Sequence, residues 1–232
     1  MPVAIITGAS KGLGRALAEA LAARGWDLVL DARGAEGLRE AAEGLEKYGT
    51  RVTALPGDVT DAGHRVELVA AAGKLGGVDL LVNNAGVLGS EPLVPLDRHA
   101  LDAFRAALEV NVVAPLGLVQ EALPQLRAAR AGAVVNVSSD AAAEAYRTWG
   151  AYGATKAALD QLSAVLAVEE PQLRVWWVDP GGMRTDMLAA AEPDEDLSGT
   201  PTPADIAPAF LRLLDRRPAS GRYTAAALVE AR

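Results

Sequence analysis

Tyr152 and Lys156 are residues whose types and spacing permit chemistry directly. Four apart on a helix, they share one face. A free phenol titrates near 10, and an ammonium beside it favours the phenolate and pulls that value down. A tyrosine so tuned can give a proton to a developing alkoxide, or take one from an alcohol, near neutral pH. The chain has 18 arginines and only four lysines. A lysine here therefore points to a need for a compact charge rather than a planar fork. Ser138 and Ser139 precede the tyrosine at the end of an apolar run. A hydroxyl there can hold a substrate carbonyl and stabilise charge growing on its oxygen.

A second constellation lies near the start, in Thr7-Gly8-Ala9-Ser10-Lys11-Gly12-Leu13-Gly14. Glycines let a backbone approach a pyrophosphate, and the helix that follows aims its N-terminus at the anion. The spacing G-x-x-x-G-x-G differs from the G-x-G-x-x-G fingerprint. The asparagines are as scarce as the lysines: only Asn83, Asn84, Asn111 and Asn136 occur.

Positioning these groups requires strands alternating with helices. Apolar runs predict strands at 3–7, 27–32, 51–55, 79–83, 133–138, 174–178 and 222–229. Helical spacing predicts helices at 13–24, 36–48, 62–75, 97–130, 152–168 and 204–214, the fourth bent where Pro115 removes a backbone donor. This alternation gives an α/β fold, a doubly wound Rossmann fold with a seven-stranded, mostly parallel sheet flanked by helices. One domain accounts for residues 1–232, and ligands are expected beyond the carboxyl ends of the strands.

The motifs together resemble the short-chain dehydrogenase/reductase family in order and at its spacing. Residues 7–14 match its T-G-x-x-x-G-x-G turn, and Asn83-Asn84-Ala85-Gly86 its N-N-A-G segment. Asn136-Val137-Ser138-Ser139 ends a strand as the family's does. Tyr152-Gly153-Ala154-Thr155-Lys156 supplies Y-x-x-x-K, and Pro180-Gly181-Gly182-Met183-Arg184-Thr185 resembles P-G-x-x-x-T. The resemblance implies an oxidoreductase moving hydride between a nicotinamide and a carbonyl or alcohol. It selects Ser139 over Ser138 and makes Asn111, Ser139, Tyr152 and Lys156 the catalytic set. Asn111 would bend its helix and hold a water linked to Lys156, which also reaches the ribose hydroxyls.

The cofactor contacts implied are Gly8, Ser10, Lys11, Gly12, Leu13, Gly14, Arg33, Asp58, Val59, Asn84, Ala85, Gly86, Tyr152, Lys156, Pro180, Gly181, Met183 and Thr185. Asp58 would meet the adenine amino group and Thr185 the carboxamide of nicotinamide. An acid at the end of the second strand usually binds a ribose 2′-hydroxyl and implies NAD. Asp31 stands near that place, but the family's NAD-selecting position corresponds to Ala32. Lys11 and Arg33 stand where members of the family that prefer NADP carry basic residues. NADP(H) is therefore expected over NAD(H). Asp31 and Arg33 face the same side of the strand and are expected to pair.

Composition narrows the rest. Of 232 residues, 22 are Lys or Arg and 30 Asp or Glu, a net charge of −8 that argues against nucleic acid. Cysteine is absent, which excludes disulfides, thiolate catalysis and Cys-type zinc sites. No apolar run reads as a membrane span and no signal peptide is recognisable, so a cytoplasmic protein is expected. No metal site is expected, and His64 and His99 read as surface residues. The acidic run Glu192–Asp196 falls in an expected substrate loop at about 183–203, where it would disfavour anionic substrates. Tyr146 and Trp149 are candidates to line the same pocket. A small carbonyl or alcohol is the expected substrate. Ala157, Ala158, Leu162, Val165, Leu166 and Val168 supply an apolar face for a homo-oligomer, tetramer or dimer. Two alternatives remain open: a non-enzymatic dinucleotide-binding sensor or scaffold, and a 3-ketoacyl-carrier reductase docking through Arg127 and Arg130.

Overall fold

Seven short β-branched and leucine-rich strands form one sheet in the computed structural model, which describes residues 1–230. The last two residues of the expected 1–232 unit lie outside the described residues. The strands are β1 (Val3–Ile6), β2 (Asp27–Ala32), β3 (Val52–Pro56), β4 (Leu80–Asn83), β5 (Ala133–Val137), β6 (Arg174–Asp179) and β7 (Gly221–Thr224). Their order is β3-β2-β1-β4-β5-β6-β7, and every pairing is parallel. The order reverses between β1 and β4, which opens a crevice at their carboxyl ends.

Helices cover both faces, so the central strands are apolar throughout. Ala4 and Ile6 of β1 point to the side of α1 (Gly12–Ala22), α2 (Ala35–Glu43) and α8 (Pro203–Arg216). Val3 and Ile5 point to the side of α3 (Ala62–Leu75) and α5 (Ala114–Ala128). A further helix, α6 (Gly150–Glu169), packs beside β5 and β6 and carries Tyr152 and Lys156.

Two expectations need correction, and one helix bears on a third. The helix at 97–130 is broken: α4 (Leu101–Leu108) runs into a π-turn at Glu109–Val113 before α5 begins. Pro115 lies two residues past the π-turn, inside the continuing helix, where it offers no N–H to the carbonyl four residues back. Asn111 is at the π-turn, with an amide that competes for backbone partners. The expected strand at 222–229 is β7 only as far as Thr224, then a helix, α9 (Ala225–Glu230). Finally, Leu101–Ala128 is long and apolar enough by length and composition to cross a membrane. It packs Leu118, Val119, Ala122 and Leu126 into the core.

Candidate active site

The crevice is a cleft of about 900 Å³ lined by residues from the carboxyl ends of the strands. Its floor at one end is the glycine turn. Gly8 and Gly12 adopt left-handed backbone, φ +65° and +57°. A Cβ on Gly14 would lie 2.4 Å from the Gly8 carbonyl oxygen, so only glycine lets α1 start so close to β1. Lys11 precedes α1 without a side-chain cap, leaving the first N–H groups of an 11-residue helix free for an anion. Ser10, Lys11 and Leu13 line the cleft here.

Asn84 braces this turn from the next strand. Its Nδ2 donates to the Thr7 and Gly8 carbonyls at 2.9 and 3.2 Å, while Thr7 Oγ1 accepts from the Asn84 and Ala85 amides. Asn83 donates to Asn136, which donates to Ser163 on α6. The scarce amides thus tie β1, β4, β5 and α6 together where the cleft opens.

Lys156 is 4% exposed, and its Nζ donates to the Val137 carbonyl at 2.8 Å. The same ammonium lies 5.6 Å from the Tyr152 ring centroid. Burial pulls the lysine down to about 8. It pushes the Tyr152 phenol well up from its ordinary value, with the Asp140 and Asp179 charges adding to the rise and the Ser139 hydroxyl opposing it. This runs against the expectation that the phenol is lowered: desolvation and the two carboxylates raise it, and the buried ammonium does not reverse that.

Ser139 half-faces the cleft. Its Oγ donates to Asp140 Oδ1 at 2.9 Å and accepts from the Ala141 amide, so it also caps a 3₁₀ turn at Asp140–Ala142. Gly153 lets α6 approach that turn, since a Cβ there would lie 2.5 Å from the Ala141 carbonyl oxygen. Asn111 is wholly buried and its amide is fully occupied: Oδ1 accepts from Val87 N, and Nδ2 donates to Val87 O and Thr155 Oγ1. A Cβ on Gly86 would lie between Asn111 Oδ1 and Lys156 Nζ, at 3.3 and 3.6 Å. The segment Ala85–Gly86 therefore runs close to both.

The remaining predicted contacts also reach the cleft. Gly181, φ +73°, donates its amide to Asp179 Oδ1. Thr185 caps α7 (Asp186–Ala191) by accepting from Leu188 N, and its methyl faces the glycine turn. Pro180 and Met183 line the wall between. Asp58 Oδ1 accepts from Thr60 N and Oγ1, bonds that hold its carboxyl below the usual range. Val59 lies beside it. Arg33 stands exposed at the rim and makes no ion pair among the described residues. Lys11 reaches across to Asp186 at 2.7 Å.

Two sequence readings fail here. Asp31 does not pair with Arg33, and His64 is not a surface residue. His64 is 8% exposed and its Nε2 lies 2.7 Å from Asp31 Oδ1. Trp149 packs edge-to-face on Tyr152 with ring centroids 5.6 Å apart, and the Tyr146 hydroxyl donates to Glu144 at 2.8 Å with Asp140 Oδ2 at 3.1 Å as its alternative acceptor. Arg127 is engaged by Glu170, whereas Arg130 is exposed and makes no ion pair among the described residues. The described residues contain no cluster of metal-ligating side chains.

Behind the serine pair stands a charged network that the sequence motifs do not mark. Ser138 Oγ donates to Asp160 Oδ1, Arg222 Nε to Asp160 Oδ2 at 3.0 Å, and Arg222 Nη2 to the Ser139 carbonyl at 2.9 Å. Asp160 lies one helical turn after Lys156, which is the only local signal that could have found it. Arg222 comes from β7, 83 residues from Ser139.

Comparison with known proteins agrees with this geometry. The short chain dehydrogenase family matches residues 2–196. The uncharacterized oxidoreductase YciK of Escherichia coli K12 is 34% identical over 222 residues, 91% of this chain and 85% of the relative. D-erythrulose reductase of Gallus gallus is 37% identical over 191 residues, 79% and 72% of the two chains. A solved structure from Escherichia coli CFT073, described as a short chain dehydrogenase complexed with NADPH, superposes with a TM-score of 0.90 at 33% identity. That match covers 97% of this chain and 96% of the other. With the glycine turn, the Ser139–Tyr152–Lys156 cluster and these relatives in agreement, the chain belongs to the short-chain dehydrogenase family.

Proposed function

We propose that this oxidoreductase is NADP(H)-dependent and interconverts a small carbonyl compound and its alcohol. The observation that carries the reading is the convergence of Ser139, Tyr152 and Lys156 on one cleft whose other end is the uncapped α1 behind Gly8, Gly12 and Gly14. The glycine cradle fits a dinucleotide pyrophosphate, and the exposed Arg33 and Lys11 fit a 2′-phosphate. The relative solved with NADPH supports the phosphorylated cofactor. When bound, the nicotinamide supplies or accepts the hydride.

The chain's own residues handle the oxygen of the substrate. Ser139 Oγ holds the carbonyl oxygen beside the Tyr152 hydroxyl. Tyr152, kept protonated by burial, gives its proton to that oxygen as negative charge develops there. Lys156 sets the potential at the phenol and presents an ammonium to the ribose hydroxyls. Asn111 holds the 85–87 segment beside Lys156, and the π-turn around it loosens helix carbonyls for a water that returns the proton. Asp58 and Val59 receive the adenine, while Pro180, Gly181, Met183 and Thr185 shape the nicotinamide end.

Leu101, Val113, Leu116, Val165 and Val168 remain exposed on α4, the π-turn, α5 and α6, which supports a homo-oligomer. Light scattering giving the mass of one chain, 24.0 kDa, would remove that part. The reaction itself is tested by a carbonyl panel read by loss of reduced-nucleotide absorbance with NADPH and, separately, NADH. Turnover with NADPH and a neutral carbonyl is expected. Turnover with NADH alone overturns the cofactor assignment, and none with any carbonyl overturns the reaction.

A further inference from the structure

The one acid at the carboxyl end of β2 is Asp31, and it is 2% exposed. On a Rossmann scaffold a carboxylate in this neighbourhood accepts from the 2′-hydroxyl of the adenosine ribose, which a 2′-phosphate cannot tolerate. Here Asp31 is already engaged. His64 Nε2 meets Oδ1 at 2.7 Å, and the Ala9 amide holds the Asp31 backbone carbonyl at 2.8 Å. His64 sits in the first turn of α3, oriented by Asp61, whose Oδ1 accepts from the Gly63 and His64 amides. Its ring fills the space where a side chain on residue 57 would go: a Cβ on Gly57 would lie 2.4 Å from the imidazole. The 57–59 turn that lines the cleft thus closes over the imidazole, and the Asp31–His64 pair is built into the wall. Of the other charges nearby, Asp58 is held by Thr60 and lies in the field of Arg33, which is exposed and free of ion pairs among the described residues.

We propose that His64 is a cofactor-specificity residue: by drawing the Asp31 carboxylate into a buried hydrogen bond, it removes an acid that would repel a 2′-phosphate and leaves Arg33 to face that group. His64 acts through Asp31 and is a positioning residue. The inference rests on the NADP(H) reading above and adds the residue that makes an acid at this position compatible with it. A glutamine at 64 retains an N–H donor for Asp31, whereas a leucine fills the space without one.

The test is calorimetric titration of the full chain with NADP⁺ and with NAD⁺, so no turnover is needed. H64L is expected to raise the Kd for NADP⁺ by about tenfold or more, the scale of one unmasked charge near a surface, while the Kd for NAD⁺ stays within about threefold or falls. H64Q is expected to retain the wild-type ratio. In the D31N background the H64L cost should vanish, because no charge remains to be held. A purely structural role would weaken both nucleotides by the same factor and would not be rescued by D31N; that result overturns the proposal. If H64L does not give a cooperative thermal transition, D31N alone decides. NAD⁺ affinity within about threefold of wild type supports the proposal, whereas selective loss of NAD⁺ shows that Asp31 already reaches the ribose and overturns it. Wild-type protein that binds neither nucleotide removes the NADP(H) reading itself, an outcome distinct from binding with an unmoved H64L ratio.

Discussion

Strand β2 carries a buried aspartate at each end, and the two live differently. Asp27, at the amino end, is wholly buried, yet its carboxyl is held below the usual range. Burial pushes it up, but Arg51 supplies its backbone N–H at 2.8 Å and its Nε and Nη2 at 2.9 and 2.5 Å, and these bonds win. Asp31, four residues on, is pushed up by burial, and the His64 bond only partly offsets that. The same contrast holds across the sheet. At the amino end Asp79 Oδ2 accepts from Val3 N and ties the start of β1 to the residue just before β4. At the carboxyl end burial raises Asp160 and Asp179, which share Arg222. Asp27 and Asp79 hold strands in place. Asp31 and Asp179 are buried and Asp160 half-buried, with fewer compensating bonds, unlike the exposed Asp58, and a neighbouring charge or ligand can change what they do.

The contrast breaks most readily at its extremes. Tyr152→Phe keeps the ring and removes the proton donor, so turnover should fall by at least about 10²-fold, with nucleotide Kd within about threefold. Asp27→Ala should do the reverse. Loss of a buried, charge-assisted partner costs about 2 kcal/mol, a fall of roughly 4–8 °C in melting temperature for a chain of this size, with kcat unchanged. Steady-state kinetics beside thermal melts on both variants would sink the comparison if Asp27→Ala lost kcat.

Arg222→Gln tests whether the network behind the serines belongs with the chemistry. The guanidinium joins Asp160 and the Ser139 carbonyl, so its loss frees the strand end that aims Ser139. A displacement of a fraction of an ångström there should lower kcat by about tenfold. Nucleotide affinity, set at the far end of the cleft, should hold. Equal losses in kcat and nucleotide affinity would return Arg222 to the structural group with Arg51.

A pH profile separates the two ends with one enzyme. Lys156 loses its proton near 8 because burial disfavours the ammonium, whereas Tyr152 stays protonated through that range. For carbonyl reduction kcat/KM should be level through neutral pH and fall as pH rises past about 8, since kcat/KM reports groups of the free enzyme. Asp27→Ala should leave the profile in place. A rate that climbs through pH 9 would take Lys156 out of the reaction.

Much of the carboxyl end is legible in the chain because its parts are local. The glycines of 8–14 and the pair Tyr152 and Lys156 each lie on one turn or one helix, so spacing alone brings them together. The parallel, doubly wound sheet follows from alternation and handedness, whereas its strand order is read from the structure. What escaped depends on partners far apart in sequence: His64 meets Asp31 across 33 residues, and Arg222 meets Ser139 across 83. Nothing local distinguishes a buried histidine on a charged helix from a solvated one. The π-turn escaped for a related reason. Pro115 is a visible breaker, whereas the break at Asn111 needs Val87 and Thr155 to receive its amide. β7 was misjudged because Ala225–Glu230 has no period that separates a buried helix turn from a strand.

The smallest effect is expected at the rim, where one ion pair joins the glycine turn to α7. Lys11 Nζ and Asp186 Oδ2 are 2.7 Å apart, with side chains 72% and 78% exposed. A pair so exposed adds little to stability, and neither Lys11→Gln nor Asp186→Asn should shift the melting temperature measurably. Their effects on NADP⁺ should have opposite signs. Lys11 is one of two cations available to a 2′-phosphate, and Asp186 competes for it. Lys11→Gln should weaken NADP⁺ and Asp186→Asn should strengthen it, each by about two- to fivefold at low salt, as one screened surface charge allows. NAD⁺ should be indifferent to both. Raising ionic strength should shrink both changes, because the Debye length falls to about 3 Å at 1 M. If the two substitutions move NADP⁺ in the same direction, the bridge positions α7 and does not compete with the phosphate, and the rim then belongs with the staples of the amino end.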